Sequence, residues 1–156
     1  MSSDLPRGIR NNNPGNIRPN PGWKWDGELP PDSGDMGSYC RFIDPEHGIR
    51  ALIRDCRNKR RRGLDTIFKI KSAFAPAADD NDVGAYANSV CRIINGQLGL
   101  SLTPNGPLPP DSMEFRVALA KASVRVECGD PAPHGRPPFW FDDDVFLRAA
   151  VMEANP

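Results

Sequence analysis

The segment "DSMEFRVALAKASVRVECG" (residues 111–129) decides how the rest of the chain is read. Phe115, Ala118, Leu119, Ala122 and Val126 recur three and four residues apart, the spacing of one apolar helix face. Asp111 and Glu114 have capping-box spacing, with Asp as the cap, and Gly129 supplies a C-terminal stop. Glu127 therefore falls in the last turn of an apolar-faced helix, just before a glycine and a proline-rich loop. The negative end of the helix dipole disfavours a carboxylate there, and partial burial adds to the effect. Both act in the direction that a general acid for glycosidic cleavage requires; an ordinary exposed glutamate in a last turn is the competing reading.

Outward from that helix the apolar spacing stays helical. "DPEHGIRALIRDCRNKRRR" (residues 44–62) opens with Asp44 as N-cap and Pro45 at the first helical position. Ile49, Leu52, Ile53 and Cys56 form its face. "DTIFKIKSAFAP" (residues 65–76) aligns Ile67, Ile70 and Phe74 and stops before Pro76. "DNDVGAYANSVCRIIN" (residues 80–95) aligns Val83, Tyr86, Ala87, Val90 and Ile94. A last helix, roughly residues 143–153, presents Phe146, Ala149, Ala150 and Met152. Only residues 23–42 lack helical spacing and have room for a small hairpin. Proline and glycine cluster at residues 14–37, 104–110 and 129–138. The expected class is mainly α (α+β), with one irregular or β lobe near the N-terminus.

The chain has 156 residues, enough for one domain with a real core and too few for two. Twenty basic residues balance twenty acidic ones, which argues against a nucleic-acid binder. The run "RNKRRR" (residues 57–62) is read as the solvated C-terminal end of a helix, where cations suit the dipole. No stretch reaches the roughly 18 apolar residues of a membrane span, and the N-terminus has no apolar signal region. Cys40, Cys56, Cys91 and Cys128 have no zinc-ligand spacing, so buried thiols are expected, with no metal and no cofactor. His47 and His134 have no partners at triad spacing.

"E-C-G-x-x-x-P" at Glu127 resembles the "E-S-G" that ends the catalytic helix of lysozyme-like peptidoglycan hydrolases, among them lytic transglycosylases and autolysin-type glucosaminidases. In the glucosaminidases an Asn-rich element, a Trp–Gly hairpin and an "FRxYxS" strand entering a helix follow the Glu helix. "NNNPGNIR" (residues 11–18) looks like the first, "WKWDG" (residues 23–27) like the second and "YCRFIDPEHGIRA" (residues 39–51) like the third. "YANSV" (residues 86–90) resembles the Tyr-x-x-x-Val of a helix near the site. Here the Glu helix comes last, so the resemblance implies a circularly permuted lysozyme-like fold, tolerable because domain termini often lie close together. "RGIRNNNPGNIR" with "F-x-x-P-E-x-G-I-R-A" also looks like a family of small phage virion or lysis-associated proteins. That match spans about residues 7–131. It departs at Cys128, where Asn is usual, and leaves the tail "FWFDDDVFLRAAVMEANP" uncovered.

The resemblance implies a single lysozyme-like domain over residues 1–156. A small β/loop lobe would occupy residues 7–42, a helical lobe residues 44–129 and a helical extension residues 139–156. It implies cleavage of the β-1,4 glycan of peptidoglycan by a muramidase, glucosaminidase or lytic transglycosylase, with Glu127 as acid and Tyr86 bonding near the cleaved bond. Asn11, Asn12, Asn13 and Asn16 would present amides to sugar hydroxyls or N-acetyl groups, and Trp23 or Trp25 would stack on a pyranose. Turn formation by the asparagines and core packing of the tryptophans are the competing roles. A second carboxylate would come from Glu28, Asp32 or Asp35. Asp35 is preferred because it precedes the "YCRF" strand; a transglycosylase would need none. The protein is then expected to act as a monomer, without nucleic acid or membrane insertion. It would reach the cell wall from the cytoplasm by phage- or secretion-mediated delivery, with a delivery or immunity protein as partner. A non-catalytic phage structural or wall-binding module is the alternative.

Overall fold

The computed structural model of the chain describes residues 5–31, 39–74 and 82–155. Helices dominate: α1 (Arg7–Arg10), α2 (Pro45–Arg61), α3 (Ile67–Phe74), α4 (Val83–Leu98), α5 (Met113–Cys128) and α6 (Asp143–Ala154), with a 3-10 turn at Ala132–His134. The mainly α class expected from the periodicity is the class found.

Local chemistry sets the helix ends. Asp44 caps α2 by accepting from the His47 N–H at 2.8 Å, with Pro45 at the first position. Asp82 caps α4 in the same way, and Gly99 ends it in the left-handed region. At α5 the cap is Ser112, whose hydroxyl accepts from Phe115 N–H at 3.1 Å, one residue later than the Asp111 cap expected. Asp111 instead accepts from Arg116 Nε at 2.8 Å and Arg57 Nε at 3.1 Å. A cap bond needs only a hydroxyl, whereas two guanidiniums compete for a carboxylate.

Helix α5 is the centre of the core. Phe115, Ala118, Leu119, Ala120, Ala122 and Val124 are buried along it, because α4, α6 and α2 pack around it. The faces named for α2 and α4 are buried as expected, with Tyr86 half-buried. On α6, Phe146, Ala149 and Ala150 go inside, but the fourth buried residue is Glu153 rather than Met152. The tail outside the family resemblance is thus part of the core. Trp140 is buried and its indole N–H donates to Gly129 O at 2.9 Å, at the end of α5.

The inward Glu153 explains much of the basic run. Its carboxylate takes Arg57 Nη1 at 2.7 Å and Arg54 Nε at 2.6 Å. Arg60 donates to Pro109 O at 2.6 Å, and Lys59 is buried. Only Arg61 and Arg62 are exposed, so most of "RNKRRR" joins α2 to its neighbours instead of lying in solvent. Burial pushes the Glu153 and Asp111 carboxyls up, but the arginine bonds outweigh it and hold both below the usual carboxylate range. A carboxyl depressed in the folded state contributes stability above its unfolded value and loses it as pH falls through the folded one. Acid titration below about pH 4 should therefore release α6 before the rest of the chain melts, read by tryptophan fluorescence at Trp140. In Glu153→Gln that early acid step should disappear.

The N-terminal lobe is built on hydrogen bonds more than on strands. Leu29 N–H donates to Arg41 O at 2.8 Å and Ile43 N–H to Gly27 O at 3.0 Å, around an antiparallel bridge between Glu28 and Phe42. These are the two arms of the expected hairpin. Asp32 and Asp35 lie outside the described residues.

Candidate active site

Asparagines 11–16 divide into two groups by what their side chains meet. Asn13 is fully buried. Its Nδ2 donates to Ile17 O and Cys40 O, both at 2.9 Å, and its Oδ1 accepts from Ile17 N–H at 2.9 Å. No part of it is left for a sugar, so its role is to fold the lobe. Asn12 takes a left-handed backbone and donates to Phe42 O at 3.2 Å, while Asn11 accepts from Phe42 N–H through its carbonyl at 2.9 Å. These residues stitch the turn to the hairpin, as asparagines do where backbone groups need partners.

Asn16 is different. It too is left-handed, with φ 50°, and that geometry aims its side chain at α5. Its Nδ2 donates to Glu127 Oε2 at 2.9 Å, across 111 residues of sequence. The other oxygen, Oε1, accepts from the Tyr86 hydroxyl at 2.7 Å. Two residues singled out from the sequence, Asn16 and Tyr86, thus converge on the carboxylate of a third, Glu127. Burial first, then the neighbouring Glu127, push the Tyr86 hydroxyl well above its ordinary range, so Tyr86 remains a donor at any working pH. Two of roughly four lone-pair sites on the carboxylate are taken; the others are left for a proton or a reacting atom.

Two supports were not legible in advance. Lys71 is fully buried, donates to Ser123 Oγ at 2.7 Å and places its ammonium 5.4 Å from the Tyr86 ring centre. Ser123 lies one turn before Glu127 on α5, so both face α3 and α4 from the same side. The signal available was a lysine on the apolar stripe of α3, between Ile67, Ile70 and Phe74. Cys128 follows Glu127 and donates to Pro14 O at 3.4 Å. Burial, then Glu127, push its thiol up to about 12. It is a small packing group that ties α5 to the Asn turn, as are the other buried thiols in their places.

Asn16 also lines a cleft of ≈ 330 Å³ together with Arg18, Trp23, Trp25, Asp55 and Lys59. Trp23 is 48% exposed and meets Trp25 edge-on, with ring centres 4.5 Å apart. Trp25 packs on the core with one side, which leaves Trp23 as the open aromatic face. Glu28, one candidate second carboxylate, turns inward: its side chain is 2% exposed and accepts from Trp25 N–H at 3.0 Å. It closes the Trp turn and does not face the cleft. His47 bonds its own cap residue, Asp44, at 2.7 Å, and His134 lies against Trp140.

No family model matches the chain. Protein P5 of Pseudoalteromonas phage PM2 is 37% identical over 93 residues, which make up 58% of this chain and 56% of that protein. The chain therefore spans just over half the length of that relative. It is similar to a bacteriophage protein.

Proposed function

We propose that the protein cleaves the glycan strands of peptidoglycan, with Glu127 as the acid that protonates the glycosidic oxygen. One observation carries this reading. A carboxylate at the end of a buried helix is fixed through both oxygens by Asn16 and Tyr86, and Asn16 itself lines a cleft with an open tryptophan face. Fixing both oxygens removes the rotamer freedom that would blur the proton's position, as positioning for proton transfer requires. Trp23 offers an apolar plane to a pyranose, and Asn16 reaches both cleft and carboxylate. On this reading the catalytic helix of a lysozyme-like site would come late in the chain. Likeness to a phage protein fits delivery to the wall with a phage particle or a secretion device.

The test is incubation of the purified chain with isolated sacculi, following turbidity and the mass of released fragments. Soluble muropeptides are the expected result. Sedimentation with the sacculi and no release would replace this reading with a wall-binding module.

A further inference from the structure

Hydrolysis of a glycoside takes two carboxyl groups, one to protonate the leaving oxygen and one to act from the other side. Among the described residues lining the cleft, Asp55 is the carboxylate. It stands in the middle of α2, and Asn16 and both tryptophans line the same cleft. Its side chain is 23% exposed and pairs with the ammonium of Lys59 one turn later, whose side chain is 8% exposed. An ion pair held this far from water gains little stability over an apolar pair of the same volume. What it does supply is a carboxylate of fixed orientation on a cleft wall. Glu28, by contrast, is spent on the Trp turn.

We propose that Asp55 is the second carboxylate of the site, a base that activates water; this rests on the glycan-cleavage reading above. Asp55 takes a proton from a water molecule as the water oxygen bonds to the anomeric carbon. The bond from that carbon to the leaving oxygen breaks, and the leaving oxygen takes the proton of Glu127. One water is consumed, and the two carboxyls return to their starting states by exchange with solvent. Lys59 holds the Asp55 carboxylate in place.

The experiment compares wild type, Asp55→Asn, Asp55→Ala and Glu127→Gln on isolated sacculi, with and without added azide. Asp55→Asn should lose roughly a hundredfold or more in release rate while still sedimenting with sacculi. Asp55→Ala should regain activity in azide and give fragments carrying an azide at the reducing end, found by mass. A purely structural ion pair would not be restored by a small anion. Activity of Asp55→Asn within about threefold of wild type, or no azide product from Asp55→Ala, overturns the assignment. Wild-type fragments ending in an anhydro-sugar also overturn it, since no water then enters the step, yet they leave Glu127 as the acid. If wild type releases nothing, or Glu127→Gln is as active as wild type, the cleavage reading fails and Asp55 falls with it.

Discussion

Glu127→Gln should lose about a thousandfold of glycan release, within the range that a positioned general acid supplies, and should keep its fold. The substitution is close to isosteric and still lets Oε1 accept from Tyr86, now 2.7 Å away. The new amide would face Asn16 Nδ2, at 2.9 Å from the present Oε2, donor against donor. A flip of the Asn16 amide answers this by turning its Oδ1, buried with no hydrogen-bond partner among the described residues, toward the new N–H. Circular dichroism and melting should therefore match wild type within about 1 kcal/mol. Rates within tenfold of wild type would remove Glu127 from the chemistry.

Gly48→Ala should be the most damaging small change to the fold. A methyl at this position in α2 would lie 1.8 Å from Asn12 O and 3.2 Å from Pro14 Cδ. Alanine ordinarily gains about 1 kcal/mol over glycine inside a helix, so intrinsic propensity predicts stabilisation. The clash is with backbone that is pinned by the Asn13 bonds, and it cannot give cheaply. The expected net loss is about 3 kcal/mol, or roughly 6–12 °C in Tm for a chain of this size. Asn16 sits on the same turn, so activity should fall along with stability. Gly96→Ala is the control: it lies in α4 with nothing within 4 Å of the added carbon and should be neutral or stabilising. Equal melting points for the two variants would show that α2 does not pack so closely on the Asn turn.

This pair of glycines illustrates what was readable in advance. Gly48 sits in a stretch with helical spacing and Gly96 directly follows one, and in the sequence Gly48 was visible only as the glycine of a "GIRA" step. Its reason, close approach of α2 to the carbonyl of Asn12, depends on a contact across 36 residues. The asparagines follow the same rule. Their density announced a special turn, but whether each amide bonds backbone, as Asn13 does, or a carboxylate, as Asn16 does, is set by which groups the other elements bring near. Glu28 and Asp55 show the same dependence: hairpin position made Glu28 a candidate beside the preferred Asp35, and mid-helix position gave Asp55 no signal, yet of Glu28 and Asp55 it is Asp55 that lines the cleft.

By itself the sequence determined the local elements: the spacing of apolar residues on α2 to α6, the Asp44 cap with Pro45 behind it, and the stop at Gly129. Those signals are short-range, since period and cap chemistry act within one or two turns. The grouping of Glu127, Tyr86 and the Asn turn was implied by the family resemblance and not by any local signal. Only the tertiary structure decided that Asn16 rather than Asn13 holds Glu127 and that Lys71 lies buried by Tyr86. It alone placed Glu153 inside, gathering the arginines of α2, and made the C-terminal tail part of the core. Each of these depends on a partner distant in sequence, and a charged side chain's place is fixed by that partner more than by its own position in the chain.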